Sequence, residues 1–219
     1  MPLVVLNVCL FISVNYHFFE NTIFTVDQIG RIGFTIPYID GQVSISRTAR
    51  TYPAYLVFKP AMILTAILLI KYWIENKKLI QTIENETEKK RYFVLFGVLS
   101  ALCLIVHSIF LGIHFEYDLY KLFRRFVIIA FIIFEIIAHA ILVITLFKIK
   151  DKISELINKK ILFLKIILVC VLSIAALVSL PLLASSGNTH LKHALEWDYF
   201  VGVIFFYLLS FLFWKKVQA

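Results

Sequence analysis

Glu135 and His139 stand four residues apart inside a long apolar run, so on a helix they share one face. Ionisable side chains at such depth in a bilayer are costly unless paired or hydrated, and both are expected to face the interior of a helix bundle. Ser100, Cys103 and His107 follow i, i+3, i+7 spacing in another apolar run and form a second polar stripe. At about 1.5 Å per residue, His107 lies roughly 9 Å and Glu135 roughly 14 Å below the outer ends of their runs, close enough in depth to meet. A glutamate and two histidines in a low-dielectric bundle can serve as a proton relay, a metal site, or the general acid and base of a membrane hydrolase. They can equally form a hydrogen-bonded clamp that fixes helix register. His107, Glu135 and His139 are therefore the catalytic candidates, with both readings open.

A second group gathers outside the apolar runs. His114, Glu116 and Asp118 precede one run and His190, His193, Glu196 and Asp198 precede the last, with Asp40 in the long segment 20–52 able to join them. On a helix, His190, His193 and Glu196 fall on roughly one side at three-residue spacing, which suits a divalent metal or the amine of a lipid headgroup. Arg47 and Arg50 add a phosphate contact, because a guanidinium grips phosphate bidentately. The competing reading is a solvated polar rim.

These residues need membrane helices to hold them. Hydrophobic residues make up 61% of the chain and charged residues only 16%, with a mean hydropathy of +0.88. Charges cluster between apolar stretches of bilayer length. The expected architecture is all-α, a single transmembrane domain over 1–219 with six spans at about 2–19, 53–74, 92–113, 126–147, 161–183 and 199–214. The opening run lacks a basic leader and a small-residue cleavage site, so it is read as a retained helix rather than a cleaved signal. Residues 20–52 form the longest non-membrane segment, with turn chemistry at Asp40-Gly41 that favours irregular structure or a short hairpin over a helix.

Orientation follows from charge. The stretches 71–91 and 148–160 and the C-terminal tail carry thirteen of the 22 Lys and Arg, and the opposite set of connections carries seven. The positive-inside rule makes the first set cytoplasmic, with both termini inside and 20–52 outside or luminal. Lys59 and Lys165 are near enough to span ends to snorkel. The net charge of +8 flanks the spans instead of forming an aromatic-interleaved surface, which argues against nucleic acid. Juxtamembrane lysines of this kind attract phosphatidylserine or phosphoinositides, although orientation alone accounts for them. Cys9, Cys103 and Cys170 lie in apolar runs and suggest no disulfide framework. Asn85-Glu86-Thr87 matches a glycosylation acceptor but falls on the cytoplasmic side.

Three stretches resemble the Frag/DRAM/Sfk family of six-span membrane proteins, which includes a GPI-anchor lipid-remodelling factor and the damage-regulated autophagy modulators. They are Ile36-Pro37-Tyr38-Ile39-Asp40-Gly41 with Tyr52-Pro53 and Phe58, His107 late in the third span, and Glu196-Trp197 opening an aromatic span through Phe205, Phe206 and Tyr207. The serine usual before the aspartate is absent. The resemblance implies lipid handling, trafficking or signalling at the plasma membrane or an endomembrane (Golgi, ER or lysosome), without one agreed chemistry.

The expected function is a lipid-binding membrane protein with a polar site on the luminal side. The expected partners are membrane lipids and either a membrane protein or a second copy of the chain. A divalent metal is the one cofactor considered. The alternatives are an intramembrane lipid hydrolase or acyl-remodelling enzyme, and a small transporter or channel subunit. Ser100, His107 and Asp118 echo the seven-span lipid hydrolases with a zinc site, but the paired histidines of their late span are missing, and a catalytic zinc needs three protein ligands.

Overall fold

Where no water is available, a backbone must satisfy its own hydrogen bonds, and each apolar run does so as a helix. A computed structural model describes residues 1–84, 91–113, 117–184 and 187–215. Its helices are α1 (Pro2–Val14), α2 (Pro37–Asp40), α3 (Ile45–Arg50), α4 (Ala54–Glu84), α5 (Tyr92–Phe110), α6 (Asp118–Lys148), α7 (Lys159–Ala184) and α8 (Thr189–Phe213). There is no strand among the described residues. Five helices, α4 to α8, are long and apolar enough to cross a membrane, and the chain is read as an integral membrane protein on that basis.

The expected first span is shorter than a bilayer. α1 has 13 residues, about 20 Å of helix against the roughly 30 Å of a hydrocarbon core. Asn15 ends it: both its backbone N–H and its side-chain amide donate to the Phe11 carbonyl, and only a 3-10 turn, Tyr16–Phe19, follows. α1 packs Val5, Leu6 and Cys9 against Ala54, Phe58 and Met62 at the start of α4.

Three helices outrun the apolar windows that announced them. α4 continues to Glu84, α6 starts at Asp118 and α8 starts at Thr189. Ile80, on the extra turn of α4, is buried in the main core with Trp73, Phe93, Leu142, Ile149, Ile153, Ile157 and Phe213. Consecutive long helices pack side by side, and Gly97 of α5 leaves room for the Trp73 indole of α4, which a Cβ there would overlap. The end bearing the α4–α5 and α6–α7 connections is the basic end, and the end bearing 20–52 is the loop end. At the basic end Asn158 N–H donates to the Phe213 carbonyl and Lys215 N–H to the Leu156 carbonyl, both at 2.9 Å, so the chain beyond α8 is tied to the α6–α7 connection.

Residues 20–52 hold two short helices where irregular structure or a hairpin was expected. Pro37 occupies the first turn of α2, and Gly41 closes it at φ +58. Ser44 caps α3, its hydroxyl accepting the Arg47 N–H at 3.1 Å. Gly41 is required twice over, because a Cβ there would also overlap the His190 carbonyl of α8.

Candidate functional site

Two polar regions result, one inside the bundle near the basic end and one at the loop end. The inner region draws on every long helix. Glu135 of α6 is fully buried and accepts hydrogen bonds from Ser100 Oγ of α5 and from the Tyr207 hydroxyl of α8. His139 Nε2 lies 3.3 Å from Glu135 Oε1, but the ring N–H is not aimed at the oxygen, so the contact is electrostatic rather than a formed hydrogen bond. The imidazole is held instead by rings: it stacks on Phe206 at 3.7 Å, with Trp73 and Tyr207 at 5.4 and 5.2 Å.

Lys165 of α7 completes the region and corrects the snorkelling expectation. Only 1% of it is exposed. Its Nζ donates to Ser210 Oγ at 2.8 Å and lies over the Phe206 and Phe213 rings at 4.3 and 5.3 Å. Ser210 in turn meets the Tyr72 hydroxyl of α4 at 2.9 Å. An ammonium roughly 9 Å along α7 from its first residue has a long enough stem to reach solvent. The two aromatic faces and a hydroxyl offer it a partnered site inside instead.

The expected meeting of Glu135 with His107 does not occur. Ser100 is the α5 residue that reaches Glu135, and His107 lies about 10 Å further along α5, towards the loop end. The polar cluster therefore sits nearer the basic end than the loop end. Ser100 donates to the Glu135 carboxylate and not to the His139 imidazole, an arrangement that can fasten two helices and can equally present the carboxylate as base to the serine proton.

At the loop end, the 36–41 segment and the opening of α8 at Glu196-Trp197 pack on each other. Tyr38 meets Trp197 edge-on at 5.1 Å, the Trp197 indole N–H donates to the Val43 carbonyl at 2.9 Å, and His193 Nδ1 contacts the Gly41 carbonyl at 3.0 Å. Glu196 lies near the backbone N–H groups of Ile45 and Ser46 at the start of α3. Asp40 is a brace within its own turn, accepting from Thr35 Oγ1 at 2.7 Å and from the N–H groups of Ile36 and Gln42 at 2.9 and 3.1 Å. Burial pushes its carboxyl up, but these three donors, with His190 nearby, hold it below the usual carboxylate value.

The side chains considered for a metal thus do not converge. His190 is exposed, His193 meets the Gly41 carbonyl, and no group of three His, Cys, Asp or Glu able to hold a metal occurs among the described residues. Asp198 is exposed on α8. His114 and Glu116 lie outside the described residues, as do the side chain of Asp118 and the Asn85-Glu86-Thr87 acceptor.

What does converge at the loop end is positive charge. Arg50 of α3 lies within electrostatic reach of Arg47 and of Arg124 on α6, and Arg124 within reach of His107 on α5. Burial, then the neighbouring guanidinium groups, lower the Arg50 pKa. Gly112 lets the α5–α6 connection pass against the Arg50 carbonyl, where a Cβ would come within 2.8 Å. Arg124 Nε and His107 Nδ1 are buried without a hydrogen-bond partner among the described residues. No family model, curated protein or solved structure matches this chain. Arg124 carried no distinguishing signal in the sequence, because a basic residue near a span end reads as an orientation signal.

Proposed function

We propose that this membrane protein handles lipid, binding a phosphate-bearing headgroup at the loop end through Arg50, Arg124 and His107, with Arg47 beside them. The observation that carries this reading is the pair of buried nitrogens, Arg124 Nε and His107 Nδ1, that have no hydrogen-bond partner among the described residues, next to the Arg50 guanidinium, which is within electrostatic reach of Arg47 and Arg124. A buried guanidinium N–H without an acceptor is costly; a phosphate supplies several acceptor oxygens and a negative charge, and His107 donates to it in the tautomer that carries the proton on Nδ1. The resemblance to the Frag/DRAM/Sfk family agrees with lipid handling. In this reading α1 is the sixth membrane segment and the basic end is cytoplasmic, so the headgroup belongs to the outer or luminal leaflet of the plasma membrane or an endomembrane.

The test is native mass spectrometry of the full chain purified gently and offered phosphatidylcholine or the phosphate-free diacylglycerol of the same acyl chains. The phospholipid should be retained preferentially, and Arg50→Gln with Arg124→Gln should abolish the preference while thermal stability is kept. Equal retention of both lipids, or an unchanged preference in the double variant, overturns the reading.

A further inference from the structure

The ends of α6 and α7 leave a cleft of about 320 Å³ at the basic end, lined by Phe147, Lys150, Asp151, Lys159, Leu162, Phe163 and Ile166. That volume is at the lower end of small-ligand sites, about 300–1,000 Å³, and suits a headgroup rather than whole acyl chains. The lining is divided by chemistry. Phe147, Leu162, Phe163 and Ile166 make an apolar wall continuous with two membrane helices, while Lys150, Asp151 and Lys159 bring two positive charges and one negative. None of these three forms an ion pair within the chain among the described residues. Lys150 Nζ is instead held over the Phe147 ring at 4.0 Å, which fixes one ammonium at the cleft.

We propose that this cleft is a second lipid site, selective for phosphatidylserine in the leaflet at the basic end. The argument is charge for charge. A phosphoserine headgroup carries a phosphate, a carboxylate and an ammonium, the inverse of two lysines and an aspartate. Phosphatidylglycerol has the same net charge but no ammonium for Asp151, and phosphatidylethanolamine has no carboxylate for the second lysine. The acyl chains would continue along the exposed faces of Phe163 and Ile167 on α7. The amine-recognising aspartate distinguishes this site from generic attraction of basic loops to an anionic surface, which does not discriminate between lipids of equal charge.

The experiment uses the full chain in mixed micelles and reads, by native mass spectrometry, the ratio of bound phosphatidylserine to bound phosphatidylglycerol offered in equal amounts. It is repeated in the Arg50→Gln/Arg124→Gln background, so that failure at the loop end leaves this readout intact. The unsubstituted protein should favour phosphatidylserine. Asp151→Asn should erase the preference without weakening phosphatidylglycerol binding, and Lys150→Gln or Lys159→Gln should each weaken phosphatidylserine about twofold to fivefold, the worth of one exposed charge pair. All three positions are at the bundle surface, and an unchanged melting temperature verifies that the variants are folded. A ratio of one in the unsubstituted protein, or a ratio that Asp151→Asn does not alter, overturns the proposal.

Discussion

Glu135→Ala should cost this protein about 3–5 kcal/mol of stability, and Glu135→Gln much less. The carboxylate accepts from Ser100 on one neighbouring helix and Tyr207 on another, with His139 beside it. Hydrogen bonds between membrane helices are worth about 0.6 kcal/mol on average and about 1.7 at most, so losing two removes roughly 1–3 kcal/mol. The alanine also leaves a hole in a packed interior, and large-to-small substitutions at such sites cost about 2–5 kcal/mol in all. Glutamine keeps the volume and one acceptor oxygen, which limits its cost to about one bond, roughly 1–2 kcal/mol. Reversible unfolding in mixed detergent micelles, followed by tryptophan fluorescence, measures both variants, and Trp73 beside His139 reports from the cluster itself. The clamp is refuted if the alanine variant is within about 1 kcal/mol of the parent, or if glutamine costs as much as alanine.

Acid should loosen the Asp40 turn: a carboxyl held below its ordinary value adds stability that is complete above 3.8 and lost as pH falls through the lower folded value. Hydrogen exchange at the Ile36 and Gln42 amides should accelerate only in that range, and Asp40→Asn should reduce protection at neutral pH. Gly41→Ala combines a left-handed backbone with a clash against α8 and should destabilise by at least about 1–3 kcal/mol, read as a lower melting temperature. Gly97→Leu should displace the Trp73 indole and shift its emission, whereas Gly33→Ala, which meets open space, should leave the spectrum unchanged.

Hydropathy made the membrane helices legible because bilayer length and side-chain composition are coupled. The expected run 161–183 and the observed α7 differ by a few residues. It failed at the ends of α4, α6 and α8, where helices run on into polar sequence; Ile80, far past the apolar window, is wholly buried. Glu135 and His139 could be placed on one inward face from spacing alone. Their partners could not, since Ser100, Tyr207 and Lys165 meet through helix rotations that no single helix encodes. Lys165 misled because its nearness to a span end fits snorkelling as well as burial, and the aromatic pair that receives it, Phe206 and Phe213, belongs to another helix. The α2 and α3 helices were signalled by Pro37, Gly41 and Ser44, a stop-and-start grammar obscured by the turn signature Asp40-Gly41.

The last helix is fastened at three heights: to 41–46 near its start, to Glu135 and Lys165 in its interior, and to 156–158 just past its end. Mechanically it is a tie-rod. A piston stroke along its axis would shear all three fastenings together, while a small tilt about the middle one bends each only slightly. The Tyr207–Glu135 contact, as the middle fastening, is the pivot of such a tilt.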